Sequence, residues 1–224
     1  MTASHSSSTA APAPGDRSGY WDDYYATRSS VARPLPSQFA TFVAGELAGP
    51  SRVVELGCGN GRDSIFFASY GHDVTGVDGS DSAVKGCQAL AEALGVQARF
   101  LQSSIDDPEL PGRLGSLGDQ DRPLMIYARF FVHAITDEEE KDFFALATAL
   151  TSPGDMLAVE YRTVRDQSGA KVTDAHYRRF VAPSSFQANA LASGFEVTYA
   201  AEGFGFAKYK HDDAYCAREL FTRR

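Results

Sequence analysis

The stretch Val53-Val54-Glu55-Leu56-Gly57-Cys58-Gly59-Asn60-Gly61-Arg62-Asp63 constrains this chain more than any other. Two β-branched residues read as the end of a buried strand. Glycines at 57, 59 and 61 then make a tight turn, and Arg62 to Tyr70 continues with helical character. A glycine backbone can pass close to a neighbour where any Cβ would collide. A second short strand, His72 to Asp78, ends in a carboxylate.

The same grammar continues along the chain. Pro36 to Leu47 carries Phe39, Phe42, Val43 and Leu47 at helical spacing and is stopped by Gly49-Pro50. Ser80 is placed to cap a helix from Asp81 to Leu94, which Gly95 ends. Ala98 to Leu101 reads as a third strand, Gln102 to Gln120 as a loop, and Pro123 to Tyr127 as a fourth strand. Thr136 with Glu139 makes a capping box for a helix through Leu150, and Pro153-Gly154-Asp155 is a turn. Met156 to Arg162 is a fifth strand. Ser184 with Gln187 repeats the capping pattern ahead of a helix ending near Gly194, and Phe195 to Ala200 and Tyr215 to Thr222 are the last strands. Strands alternating with helices predict a doubly wound, mostly parallel α/β sheet covered on both faces.

Glycines spaced G-x-G-x-G, with Glu55 two residues ahead, differ from the dinucleotide-binding G-x-G-x-x-G, which makes a hydride-transfer enzyme the weaker reading. Together with the acidic end of the second strand, the turn resembles motifs I and II of the class I S-adenosylmethionine-dependent methyltransferases. The resemblance covers about Tyr20 to Arg223. It implies a Rossmann-like fold with a seven-stranded sheet whose last strand is antiparallel, and S-adenosyl-L-methionine as cofactor. Tellurite and thiopurine methyltransferases share the Gly61-Arg62-Asp63 extension.

Composition bounds the rest. The chain has 224 residues, enough for one self-sufficient domain over 19–224, with 1–18 read as a disordered Ser/Thr/Ala/Pro-rich leader. The leader has neither a basic head nor an apolar core, so it is not a secretory signal, and no apolar run is long enough to span a bilayer. Three scattered cysteines, Cys58, Cys87 and Cys216, fit a reducing cytoplasm, and Cys58 is read as a small residue rather than a nucleophile. A net charge of −8 argues against nucleic acid as substrate but leaves room for a local basic pocket. No metal-ligand spacing is present, and His211-Asp212-Asp213 reads as a turn. Oligomeric state is left open.

By resemblance, Gly57, Cys58 and Gly59 approach the methionine portion of the cofactor, with Glu55 beside it. Asp78 takes the ribose hydroxyls, with Gly79 and Ser80 following it. Ser104, where many relatives have Asp, and Ile105 occupy the adenine edge. Ala128 offers its carbonyl to the cofactor's amino group. Tyr20, Trp21, Tyr24 and Tyr25 form an aromatic cluster read as part of an N-terminal lid over about 19–47, with Tyr20 and Trp21 against cofactor and Tyr25 at the reacting centre.

The substrate side is read from cations. Arg129 and His133 follow the fourth strand and Arg162 ends the fifth. Arg165, Lys171, His176, Arg178 and Arg179 come after it, with only Asp166 and Asp174 as acids between 162 and 179. The bland alternative is a solvated loop, with Arg129 merely paired to Glu160. Arginine forks suit carboxylate and phosphate-like groups, so a small anionic substrate is expected. Candidate catalytic and substrate residues are Tyr25, Arg129, His133, Arg162, His176, Arg178 and Arg179, with Lys208 and Tyr209 as possible additions to the pocket. The pattern Arg129-Phe130-Phe131-x-His133-Ala134, Glu160-Tyr161-Arg162 and His176-Tyr177-Arg178-Arg179 is similar to small bacterial methyltransferases of anionic metabolites. Among these are the phosphonate O-methyltransferases of dehydrophos antibiotic biosynthesis. Two alternatives stand beside this reading: an amine or hydroxyl methyltransferase with His133 as base, and a non-catalytic S-adenosylmethionine-binding module.

Overall fold

A computed structural model describes residues 17–26, 34–167, 177–209 and 212–224. In chain order the elements are α1 (Arg17–Ala26), α2 (Gln38–Ala44), β1 (Arg52–Leu56), α3 (Arg62–Ser69), β2 (Asp73–Asp78), α4 (Asp81–Leu94), β3 (Arg99–Gln102) and α5 (Leu110–Gly115). They continue with β4 (Leu124–Arg129), a 3-10 turn (Val132–Ala134), α6 (Asp137–Leu150), β5 (Met156–Arg162), a second 3-10 turn (Val164–Asp166), α7 (Pro183–Ala192), β6 (Phe195–Gly203) and β7 (Cys216–Arg223).

The strands form one seven-stranded sheet in the order β3-β2-β1-β4-β5-β7-β6. β1 pairs β2 and β4 in parallel, and β5 joins β4 in parallel. β7 alone runs antiparallel, wedged between β5 and β6. This is the doubly wound fold expected of the sequence. Its strand order reverses between β1 and β4, which opens a crevice beyond their C-terminal ends.

Alternating side chains divide the core between two faces. Val54, Leu56, Ile126 and Ala128 pack with Phe143, Phe144 and Phe186 under α6 and α7. Val53, Met125 and Tyr127 pack with Phe39 and Phe67 under α2 and α3. A smaller cluster of Cys58, Ile65, Cys87 and Phe100 binds α4 to the glycine turn.

Local signals set most boundaries. The Ser80 hydroxyl accepts from the Ala83 N–H at the head of α4, and Gly95 closes that helix in the left-handed region. Thr136 and Glu139 form the full capping box of α6. Three readings need correction. The segment 102–120 is not all loop, because Leu110 and Leu114 bury one face of α5. Helix α2 is shorter than Pro36 to Leu47, since Ser37 caps it and Gly45 ends it. Ser184 and Gln187 make no capping box: Pro183 starts α7 behind Ala182, and the Gln187 amide donates instead to Glu219 at 2.6 Å.

Candidate active site

The glycine turn leaves β1 and crosses the end of β2, where the Gly57 and Cys58 amides both donate to the Val77 carbonyl at 2.8 and 3.0 Å. Gly57 and Gly59 have φ of 72° and 53°. A Cβ at Gly57 would stand 2.6 Å from the Phe131 ring, and one at Gly59 would run into the Tyr25 hydroxyl. Helix α1 therefore lies over the turn, with Tyr25 as its roof. Asp22 fastens that helix, accepting from the Ser80 hydroxyl at 2.7 Å and the Ser82 N–H at 3.2 Å. Tyr20, Trp21, Tyr24 and Tyr25 pack edge-on or stacked along α1 with centroids 5.0–6.2 Å apart.

Asp78 faces this space. Its two oxygens accept from the Gly59 N–H at 2.8 Å and the Ser80 N–H at 2.9 Å, and burial raises its pKa. Each carboxylate oxygen keeps a second lone pair for a hydroxyl donor. Burial also lifts the Tyr25 phenol well above its usual range, with the Asp78 charge adding to it. Glu55 is buried at the end of β1, beside Ser64 of α3. Its carboxyl bonds the Ser64 hydroxyl, and burial together with Asp63 pushes its pKa well up. Asp63 anchors the base of the site, accepting from the Ser37 amide at 2.7 Å and the Tyr127 hydroxyl at 2.9 Å.

The other expected cofactor residues divide. Ala128 is buried one residue past the last β1 partner of β4, where the two strands part. Ser80 lies at the site, with its hydroxyl committed to capping α4. Gly79 has open space at its Cβ position. Ile105 packs on the main core beside the end of β3, and the exposed Ser104 hydroxyl bonds Asp106. Cys58 is a buried thiol whose pKa is pushed well up, first by its hydrogen bond with Cys87 and then by burial, which fits a small packing residue. Turn, roof and paired carboxylate oxygens fit S-adenosylmethionine in their chemistry, with a backbone that allows close approach and a carboxylate that can take two hydroxyl donors.

The cations beyond β4 and β5 are less free than their number implies. Arg162 is buried between Asp166, at 2.6 Å, and Asp212. Arg179 turns away to α6, binding Glu140, Asp137 at 2.5 Å and the Val132 carbonyl. Lys208 pairs with Asp213 at 3.8 Å, Tyr209 is exposed, and Arg165 pairs with Glu202 at 3.6 Å. His176 and Lys171 lie outside the described residues. His133 is buried, and its Nδ1 accepts from the Arg162 backbone N–H at 3.2 Å. A neutral imidazole holding that bond carries its proton on Nε2 and so presents a donor.

Arg129 is placed differently. Its Nε donates to the fully buried Glu160 at 2.8 Å. Among the described residues its two Nη atoms make no hydrogen bond. The guanidinium stacks 4.3 Å from the Phe130 ring centre, and that of Arg162 lies 5.6 Å from the same ring. Phe130 holds a left-handed φ of 58°. Arg178 sits beside Arg162: burial and then the Arg162 cation lower its pKa, against the pull of Asp166 and Asp212.

The comparisons agree with this geometry. Residues 53–154 match the family model described as a methyltransferase domain. Over that stretch, a little under half of its length, the chain carries a methyltransferase domain. The chain is 38% identical over 61 residues to a protein from Geobacillus sp. (strain WCH70) named as a methyltransferase, a match spanning 27% of this chain and only 25% of that one. Two solved structures share its fold. One, from a study of the conversion of a disulfide bond into a thioacetal group during echinomycin biosynthesis, has a TM-score of 0.70 at 16% identity, covering 92% of each chain. The other is magnesium protoporphyrin IX methyltransferase (ChlM) from Synechocystis PCC 6803 with bound SAM. Its TM-score is 0.59 at 16% identity, over 93% of this chain and 80% of that one. No helix among the described residues is long and apolar enough to cross a membrane.

Proposed function

We propose that the chain transfers a methyl group from S-adenosylmethionine to an oxygen of a small anionic metabolite, with a phosphonate as the working candidate and natural-product biosynthesis as its setting. The observation that carries this reading is Arg129, anchored through Nε with its Nη edge open at the end of β4. Such a fork suits an oxyanion by shape as well as charge.

The local charge supports it. Arg162 and Arg178 stand together beside Asp166 and Asp212, a concentration of cations on a protein whose net charge is −8. Arg178 adds an argument of its own, because an anion beside it relieves a charge that burial and Arg162 disfavour. When bound, S-adenosylmethionine supplies an electrophilic sulfonium methyl group. The protein's work is then alignment and exclusion of water, with Tyr25 and Phe131 closing over the glycine turn. A phosphonate oxygen is ionised at neutral pH and needs no base. The Nδ1 bond of His133 accords with that, since it leaves this ring a donor.

The test is S-adenosylhomocysteine formation across small phosphonates, their carboxylate counterparts and simple amines. Turnover of the anions alone is the expected result. Turnover confined to amines or neutral hydroxyl compounds overturns the reading.

A further inference from the structure

Three strands bring Arg129, Glu160 and Arg218 into direct register: Arg129 opposes Glu160 across β4 and β5, and Glu160 opposes Arg218 across β5 and β7. The bonds run the same way. Arg218 Nε donates to Glu160 Oε2 at 2.6 Å, and Arg129 Nε donates to Oε1 at 2.8 Å. Glu160 is fully buried, so each guanidinium holds one edge of a carboxylate that has no water to turn toward.

The two ends of this row differ. Arg218 is held at a second point: Nη2 donates to the Phe206 carbonyl at 2.6 Å, and the guanidinium lies 4.7 Å from the Phe206 ring and 5.6 Å from that of Phe39. Arg129 ends in open donors. Buried charge rows of this kind are poor sources of stability, since apolar residues of equal volume do as well. What the row supplies is direction.

We infer that Arg218 is a positioning residue for the substrate: it fixes the rotation of Glu160, and Glu160 fixes the plane and reach of the Arg129 fork. The Phe206 carbonyl ties the segment after β6 into the same row, so the geometry of the anion site depends on a part of the chain that does not line it. This rests on the reading that the Arg129 Nη edge receives the substrate anion.

The test uses the full chain saturated with S-adenosylhomocysteine, with methylphosphonate as probe. Calorimetry is run on the wild type, Arg129→Met, Arg218→Met and Arg218→Lys. Arg218→Met is expected to weaken methylphosphonate about tenfold, with Arg218→Lys recovering most of the loss and S-adenosylhomocysteine affinity holding in all three. Full probe affinity in Arg218→Met, alongside loss in Arg129→Met, overturns the inference and leaves the anion reading standing. A second readout needs no probe: the 15N–1H resonance of Arg129 Nε, assigned by its absence in Arg129→Met. Its shift or broadening in Arg218→Met supports positioning, and an unmoved resonance overturns it. If Arg218→Met does not fold, the same resonance in Arg218→Gln, which also removes the cation, decides in the same way. Should methylphosphonate fail to bind the wild type, the anion reading falls, and the resonance alone judges Arg218.

Discussion

The Asp22 carboxylate on α1 takes the Ser80 hydroxyl at 2.7 Å, so the side chain that caps α4 also latches the helix roofing the glycine turn. Asp22→Ala is expected to release α1 and with it Tyr25. Cofactor affinity, read by calorimetry, should fall several-fold, about what one lost charge-assisted bond produces. Unchanged affinity would separate α1 from the cofactor site.

Gly59→Ala tests the roof from below. The new methyl group runs into the Tyr25 hydroxyl, and the left-handed φ alone costs about 1–2 kcal/mol. Loss of the thermal shift produced by S-adenosylhomocysteine is expected. Pairing Gly59→Ala with Tyr25→Ala should restore part of it.

Glu55 gives a pH signature. Burial and the Asp63 charge raise its pKa above the ordinary carboxylate value of about 4.3 in the unfolded chain. Between the unfolded and the raised folded values the folded state holds the extra proton, so this group's stabilisation is present at low pH and is lost as pH rises. Glu55→Gln removes the titration. The difference in unfolding free energy between variant and wild type should grow in the variant's favour as pH rises above about 4.3. A flat difference would assign no titration to Glu55.

Phe130 separates backbone from side chain. Phe130→Ala and Phe130→Gly both remove the ring beside Arg129 and Arg162, but only glycine is at ease at φ 58°. Denaturant unfolding should find the glycine variant more stable than the alanine variant by about 1–2 kcal/mol. Equal stabilities would mean that the segment relaxes out of the left-handed region.

Arg178→Ala is expected to raise the substrate KM about tenfold or more while cofactor affinity stays level. An unchanged KM would remove Arg178 from the substrate pocket.

How much was legible beforehand depended on distance along the chain. The Ser80 cap, the Thr136–Glu139 box and the glycine turn are local chemistry, and each stands where its residues said. The arginines were harder. Counting acids only between 162 and 179 left Arg162 and Arg179 with few partners, yet Asp212, Asp137 and Glu140 reach them from other elements. The Glu160 partner that the sequence offers Arg129 is there, but that bond uses only Nε. Arg218 carried no signal, because its part is set by the register of β7 against β5, which no spacing within the last strand discloses. Asp22 was visible as acidity among aromatics, with nothing to connect it to Ser80, 58 residues away.

The insertion of β7 between β5 and β6 also sets an order of assembly. β6 has no other neighbour in the sheet, so although it is made first it cannot dock until the later strand has docked beside β5. The glycine turn and Asp78 belong to strands formed earlier in the chain, whereas Arg218 arrives with the strand that closes the sheet. A folding intermediate complete through β5 would thus hold the cofactor end of the site, with the substrate end still to be set.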